Sequence, residues 1–180
     1  EYDEKNFVRG EEINEENYTA NVRACLAVRK WIEKHGLSAF SVNFLKIGKE
    51  SINSMPFIEA CKAMQRGIGY AGEGDALTAA FVGAFLKVIP ETSFIEIFCP
   101  DWKNDRIFIS HMGEMNYGVA DGKPTLYNMP FDYTETALDT VVATARYKGG
   151  KGVYANIYRD EDGFKLGVAP IEMVEVENDS

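Results

Sequence analysis

Gly67-Ile68-Gly69-Tyr70-Ala71-Gly72-Glu73-Gly74-Asp75 is the stretch on which the reading of this 180-residue chain turns. Before it, Pro56–Arg66 reads as a short helix, with Ser54 as N-cap and Pro56 in the first turn. Phe57, Ile58, Cys61 and Met64 fall on its inward side. After it, Asp75 is suited to cap a helix from Ala76 to about Val88, which Pro90 closes. Gly67, Gly69 and Gly72 match the G-x-G-x-x-G spacing of a dinucleotide fingerprint. Two features oppose that reading. The fingerprint requires a strand before the glycines, and a helix is expected there. It also seats a pyrophosphate at the next helix N-terminus, where Glu73 and Asp75 would repel it. The glycines are read instead as allowing close backbone packing and presenting Glu73. Asp75 is expected to be a dipole-favoured helix cap, and Glu73 a functional carboxylate.

Working outward, residues 17–35 carry a helical pattern with Val22, Cys25, Leu26 and Ile32 on one side. Gly36 follows as a left-handed C-cap. Ser38–Phe44 alternates as a strand through Phe40, Val42 and Phe44. The first dozen residues lack periodicity and are expected to be an extended or frayed lead-in. Beyond Pro90 the chain reads as strands at Ser93–Cys99, Arg106–Met112, Leu138–Tyr147, Gly152–Arg159 and Phe164–Val176. Asp160–Gly163 is the hairpin turn between the last two. The expected class is α/β. Helices with a short parallel-type sheet fill residues 1–89, and a mainly antiparallel, barrel-like β domain fills residues 90–180.

The apolar content of 46% is enough for a core. The net charge of −9, from 28 acidic and 19 basic residues, disfavours nucleic acid and anionic membrane as partners. A neutral substrate or a divalent cation is compatible with it. Cys25, Cys61 and Cys99 are scattered and odd in number, so free buried thiols in a reducing cytoplasm are expected. No apolar run reaches membrane-spanning length. Glu1, in place of a methionine, suggests an excised, trimmed or proteolytic product.

Several separated blocks together resemble the L-arabinose isomerase family, within the wider L-arabinose/L-fucose isomerase superfamily. They are Phe40–Phe44, Pro56, Gln65-Arg66, Gly69-Tyr70, Gly72–Asp75 and Thr78–Ala80, then Thr92–Glu96 and Ser110–Glu114. Their order and spacing agree with the family over about residues 20–115, and more weakly beyond. The resemblance implies that Glu73, Glu96 and His111 bind a divalent metal. Mn²⁺ is the first expectation, with Co²⁺ or Mg²⁺ as alternatives. It also implies that Glu73 and Glu96 serve as acid and base between C1 and C2 of a sugar, and that Phe44 lies near that sugar. Residues 1–89 would be the end of the family's central domain, and residues 90–180 an incomplete C-terminal β domain. A cytoplasmic homo-oligomer, trimeric or hexameric, acting on a free L-aldose such as L-arabinose or L-fucose is the expected whole protein.

The chemistry is consistent with these residue types. Moving a proton between adjacent carbons needs an acid and a base. A metal held by carboxylates and imidazole stabilises the enediolate oxygens. The plainer readings stand beside this one. Glu96 would suit an exposed strand face, although Phe94 and Phe98 on the same alternation argue for burial. His111 is one of only two histidines, and a lone histidine is commonly structural. His35 is read as a surface residue in a last helical turn. Glu114 has a family counterpart but is assigned no direct metal role. Trp102, Tyr117 and Tyr127 are candidates for sugar stacking, with core or rim packing the simpler expectation.

The sequence departs from the family pattern at Ala76-Leu77, Ile97–Trp102 and Gly113–Tyr117, beside the site, so the sugar need not be L-arabinose. No histidine follows His111, so the family's fourth ligand is absent. The isolated chain is therefore expected to be weakly active or inactive. A non-catalytic sugar-binding or regulatory relative is the alternative.

Overall fold

A computed structural model describes residues 2–10 and 12–174. The first half runs α1 (Tyr2–Asn6), β1 (Val8–Arg9), α2 (Glu15–His35), β2 (Ala39–Ser41), α3 (Phe57–Gln65), β3 (Gly69–Ala71) and α4 (Ala76–Leu86). Six strands follow: β4 (Glu96–Asp101), β5 (Arg106–Ser110), β6 (Ala120–Met129), β7 (Thr140–Tyr147), β8 (Gly150–Asp160) and β9 (Gly163–Met173). The class is α/β, as expected.

Helix α2 starts where Asn14 accepts hydrogen bonds from the N–H groups of Glu16 and Asn17, and stops at Gly36 with φ 59°. Its buried stripe is Ala20, Asn21, Ala24, Cys25, Val28 and Ile32. Leu26, expected inside, is exposed, and Asn21 lies inside instead. The reason is a polar bridge. The Asn21 amide donates to Ser54 Oγ, to the Met55 carbonyl and to Thr140 Oγ1 at 2.7–3.2 Å, tying α2 to β7. That bridge also removes Ser54 from its expected capping role. Helix α3 begins at Pro56 without a side-chain cap.

Strands β2 and β3 pair in parallel, Phe40 opposite Tyr70, and α4 lies across them. Gly69 and Gly83 make this possible. A Cβ on Gly83 would stand 2.8 Å from the Ser38 carbonyl oxygen, and one on Gly69 would strike the α4 backbone. The glycines thus permit close backbone packing, as the sequence suggested.

Four expectations need correction. The lead-in is extended only at β1, which pairs in parallel with β6, and it is preceded by the short helix α1. The glycine stretch contains a strand, β3, which carries Gly69 within it, so the first two glycines precede the strand-to-helix turn. Strand β6 was not foreseen. Its alternation is broken by Gly122 and Pro124, and the register with β7 shifts between Asp121 and Thr125. The antiparallel strands, finally, do not close a barrel among the described residues. They form the hairpins β4–β5 and β8–β9 and the sheet β1–β6–β7. The hairpin turn at Asp160–Gly163 is as expected. The last two residues of the expected final strand, 175 and 176, lie outside the described residues.

Three apolar clusters fill the interior. One joins α2, α3, α4 and the β2–β3 pair. The other two cross residue 90, setting Cys61 and Ile58 against Leu126 and Val141, and Phe44 and Phe57 against Phe131 and Val142. Sheet β6–β7 therefore lies directly on α2 and α3, and the candidate site opens beside that contact.

Candidate active site

Strand β3 ends at Ala71, and a tight turn leads into α4. The Asp75 N–H donates to the Gly72 carbonyl at 3.0 Å. The central residues, Glu73 and Gly74, have φ values of 57° and 87°. This is the type I′ arrangement. Gly74 adopts it freely, but a side chain in the left-handed region costs roughly 1–2 kcal/mol. The strain at Glu73 is held by its surroundings. Asp75 caps α4, accepting from the Thr78 N–H at 2.9 Å and from its hydroxyl at 2.6 Å. Gly72 lies against a buried carboxylate, where a Cβ would stand 3.3 Å from both oxygens of Glu114. Asp75 is thus a structural cap, whereas Glu73 is exposed and directed by the turn.

The β4–β5 hairpin supplies the second side. Its register sets Glu96 opposite Ser110, so that His111 is the next residue along. Glu96 Oε2 and His111 Nε2 lie 3.5 Å apart. Glu96 is half-exposed at 44%, not buried as its flanking phenylalanines suggested. Phe94 is buried in the core while Phe98 is half-exposed, because the strand begins only at Glu96 and its register with β5 shifts between Ile97 and Cys99. The imidazole is nearly covered and lies tilted against Phe94, with 5.0 Å between centroids.

After His111 the chain reverses. The Gly113 N–H donates to the His111 carbonyl at 2.8 Å, with Gly113 at φ 75°. That reversal brings the Glu114 carboxylate back onto the histidine three residues before it. Glu114 Oε2 pairs with His111 Nδ1, and Glu114 Oε1 accepts from the Tyr70 hydroxyl. Glu114 and Tyr70 are both fully buried. Burial alone would lower the imidazole pKa. The hydrogen bond to Glu114 and the charges of Glu114, Glu96 and Glu73 outweigh it and raise the value. Burial pushes the Glu114 carboxyl up despite the pull of His111 and Tyr70. Burial also drives Tyr70 well up, and the Glu114 charge adds to this, so the phenol stays a donor.

Glu73, Glu96, His111 and Glu114 supply the polar wall of one cavity of about 240 Å³, and Phe44, Phe98 and Tyr133 supply rings. Its size is below the ~300–1,000 Å³ usual for drug-sized ligands, which suits a small polar molecule better than a dinucleotide. Phe44 is buried in the wall, edge-on to Phe57 at 5.6 Å and to Tyr133 at 5.3 Å. The structure thus brings Glu73, Glu96, His111 and Phe44 together from both sides of residue 90. The other aromatic candidates lie elsewhere. Trp102 is 85% exposed on the β4–β5 hairpin, Tyr117 is buried against Phe7, and Tyr127 lies on β6 away from the cavity.

Two carboxylates and an imidazole fit a divalent cation in chemistry. Nδ1 lies against Glu114, and Nε2 is the ring nitrogen turned towards Glu96. The donors are not gathered into a closed cage: among the described residues, no three His, Cys, Asp or Glu side chains stand close enough to hold an ion. Sequence reasoning missed Tyr70, Phe98 and Tyr133 and gave Glu114 no direct role. The three-residue spacing of His111 and Glu114 was the one available signal.

Comparison with known proteins agrees with the blocks quoted above. A family model described as the L-arabinose isomerase central domain matches residues 1–91. The chain is 30% identical over 168 residues to an L-arabinose isomerase of Serratia proteamaculans, covering 89% of this chain and 33% of that protein. It is 30% identical over 135 residues to one of Pediococcus pentosaceus, covering 71% of this chain and 28% of that protein. With one of Flavobacterium johnsoniae the identity is 36% over 107 residues, 56% of this chain and 21% of that protein. The chain spans about a third or less of the length of these relatives.

Proposed function

The chain belongs to the L-arabinose isomerase family, and from that premise we propose that its cavity serves metal-dependent interconversion of an L-aldose and its ketose. The observation that carries the reading is the meeting of Glu73, Glu96 and His111 at one small cavity from three separate segments. Glu73, Glu96 and His111 are the residues that would hold the metal, with Mn²⁺ first and Co²⁺ or Mg²⁺ as alternatives. When bound, the metal supplies Lewis-acid stabilisation of the enediolate oxygens. The carboxylates of Glu73 and Glu96 take a proton from one carbon and return one to its neighbour. Phe44 and Tyr133 give the sugar an apolar wall and exclude water from that edge. L-arabinose is the first substrate to test and L-fucose the second.

Residues 1–89 are read as the end of the family's central domain and residues 90–180 as most of its C-terminal β domain, which is incomplete here. A cytoplasmic homo-oligomer, trimeric or hexameric, belongs to the same proposal. No helix among the described residues is long and apolar enough to cross a membrane. With three donors of the family's four, the chain alone is expected to bind metal weakly and to be weakly active or inactive.

The test is a Mn²⁺ titration of the chain and of Glu73→Gln and Glu96→Gln, alongside ketose formation from L-arabinose in deuterated water. Binding lost in both variants, with solvent deuterium in the product, supports the reading. Mn²⁺ binding that is unchanged in both variants sinks it. The open arrangement of the donors favours one competitor, a sugar-binding relative without chemistry. That competitor is expected to bind sugar with no response to metal.

A further inference from the structure

Strands β8 and β9 form a two-stranded sheet among the described residues, and α4 touches β8. The register sets Val153 opposite Pro170, Ala155 opposite Val168 and Ile157 opposite Leu166. Side chains alternate across a strand, so these six share one face. Val153, Leu166 and Val168 are 66%, 55% and 59% exposed, and Phe164 at the end of the row is equally open. The opposite face is better covered, with Tyr154, Ile171 and Met173 part-buried. A hairpin of two strands is marginal in water unless its apolar face is packed against something. None of these residues lines the candidate site.

The chain exposes 11414 Å² in all. A compact monomer of its 20.1 kDa exposes roughly 8,700 Å², about 2,700 Å² less. An unfolded chain exposes about 160 Å² per residue, so complete exposure of the eight residues outside the described set still leaves an excess of about 1,400 Å². Each side of a standard interface buries about 800 Å². Pro170 withholds an N–H from β9 and blunts its edge against strand addition, which leaves the face as the surface to be covered. We propose that this face docks a second copy of the chain about a twofold axis along the strands, with β8 of each copy over β9 of the other.

Charge selects both the occupant and its orientation. A net charge of −9 opposes self-association except through a surface without excess acid. On this face Lys151 stands opposite Glu172 at one end, and Arg159 opposite Phe164 at the other. In the proposed arrangement Lys151 of each copy meets Glu172 of the other. Arg159, already 5.8 Å from the Phe164 ring of its own chain, gains a second such ring. The reversed arrangement, with each strand over its own counterpart, sets Arg159 on Lys151 twice. The favoured arrangement does bring two acidic turns side by side, but Lys165 lies 3.9 Å from Asp160 and 3.8 Å from Asp162 and offsets them. The contact is isologous: alone it closes a dimer, and added to a threefold contact it makes a hexamer. It gives the homo-oligomer proposed above a surface and does not depend on the isomerase chemistry.

Sedimentation velocity of the full chain over a range of concentrations tests the contact. The unaltered chain is expected to sediment as a dimer or a larger even assembly, and Val168→Lys to halve it with an unchanged circular dichroism spectrum. Lys151→Glu and Glu172→Lys should each weaken the association about tenfold, because each sets like charges together twice. An equimolar mixture of those two variants should regain it, since every Lys151–Glu172 contact between copies is then again a pair of opposite charges. The pair within each hairpin stays broken in both variants, so the mixture reads the contact between copies alone. A chain that stays monomeric overturns the proposal, as does an assembly that ignores the charge reversals or a mixture no stronger than its components. Uptake of a monomeric chain by phosphatidylcholine vesicles, lost in Val168→Lys, would give the face to lipid and overturn it too. None of these failures touches the Mn²⁺ and deuterium tests of the isomerase reading.

Discussion

Replacing Glu73 by glycine should stabilise the chain while removing a carboxylate from its candidate site. Glu73 holds φ at 57°, where an L-residue costs about 1–2 kcal/mol. Glycine escapes that cost but brings an unfolded-state entropy penalty of roughly 0.5–1 kcal/mol. The difference leaves a net gain of about 0.5–1 kcal/mol. The side chain is exposed, so little packing is lost. Loss of charge beside Glu96 and Glu114 complicates a single measurement. Glu73→Ala removes the same charge but keeps the strained backbone, so the comparison of Gly with Ala isolates the backbone effect. Urea denaturation of the metal-free chain, followed by circular dichroism, should show a higher midpoint for Gly than for Ala at an unchanged slope. In a thermal scan the expected separation is about 1–4 °C for a chain of this length. Both variants should lose Mn²⁺ binding. A Gly variant no more stable than the Ala variant would refute the idea that Glu73 is held in strain for function. Such a trade of stability for a displayed carboxylate is common at sites of this kind.

Four further outcomes can be checked. The environment of His111 raises its pKa, with the Glu114 hydrogen bond and carboxylate charges overcoming burial. The metal-free chain should therefore gain most stability from this group below the ordinary imidazole pKa, and lose it as pH rises through the raised value. Urea midpoints that climb over that window would contradict the pairing. Mn²⁺ affinity should move the other way, strengthening with pH as the competing proton leaves. The Glu59 side chain is 1% exposed and is gripped by Arg29 through Nε at 3.1 Å and Nη2 at 2.7 Å, with Arg66 as second partner. Arg29→Met strands part of that buried charge and should cost about 2 kcal/mol, whereas Glu59→Met lets two part-exposed guanidiniums return to water and should cost less; the reverse order in urea melts would show the burial reasoning to be wrong. Burial pushes the thiols of Cys25 and Cys61 up to about 12, while Cys99 is exposed on β4. A chromogenic disulfide reagent should titrate one thiol in the folded chain and all three in denaturant.

Local signals were legible wherever one segment decided its own shape. Gly36 ends α2, Asp75 caps α4, and Asp160–Gly163 turns the last hairpin, because caps and tight turns are settled by nearest neighbours. Strand β6 was hidden by Gly122 and Pro124, which break its alternation but are tolerated at a register shift. Leu26 and Asn21 exchanged their expected places because Asn21 finds three distant partners, which no helical periodicity records.

The candidate site divides along the same line. The sequence, through its resemblance to the family, brought forward Glu73, Glu96, His111 and Phe44 as candidates, since each motif block is a short run that can be read locally. It also separated Asp75, a cap, from Glu73, a displayed carboxylate. Only the tertiary structure decided what stands behind the histidine. Glu114 acquires its place from the reversal at Gly113, from the space left by Gly72 and from Tyr70 on a separate strand. Those contacts join residues far apart in the chain, and a buried carboxylate becomes tolerable only where such partners converge.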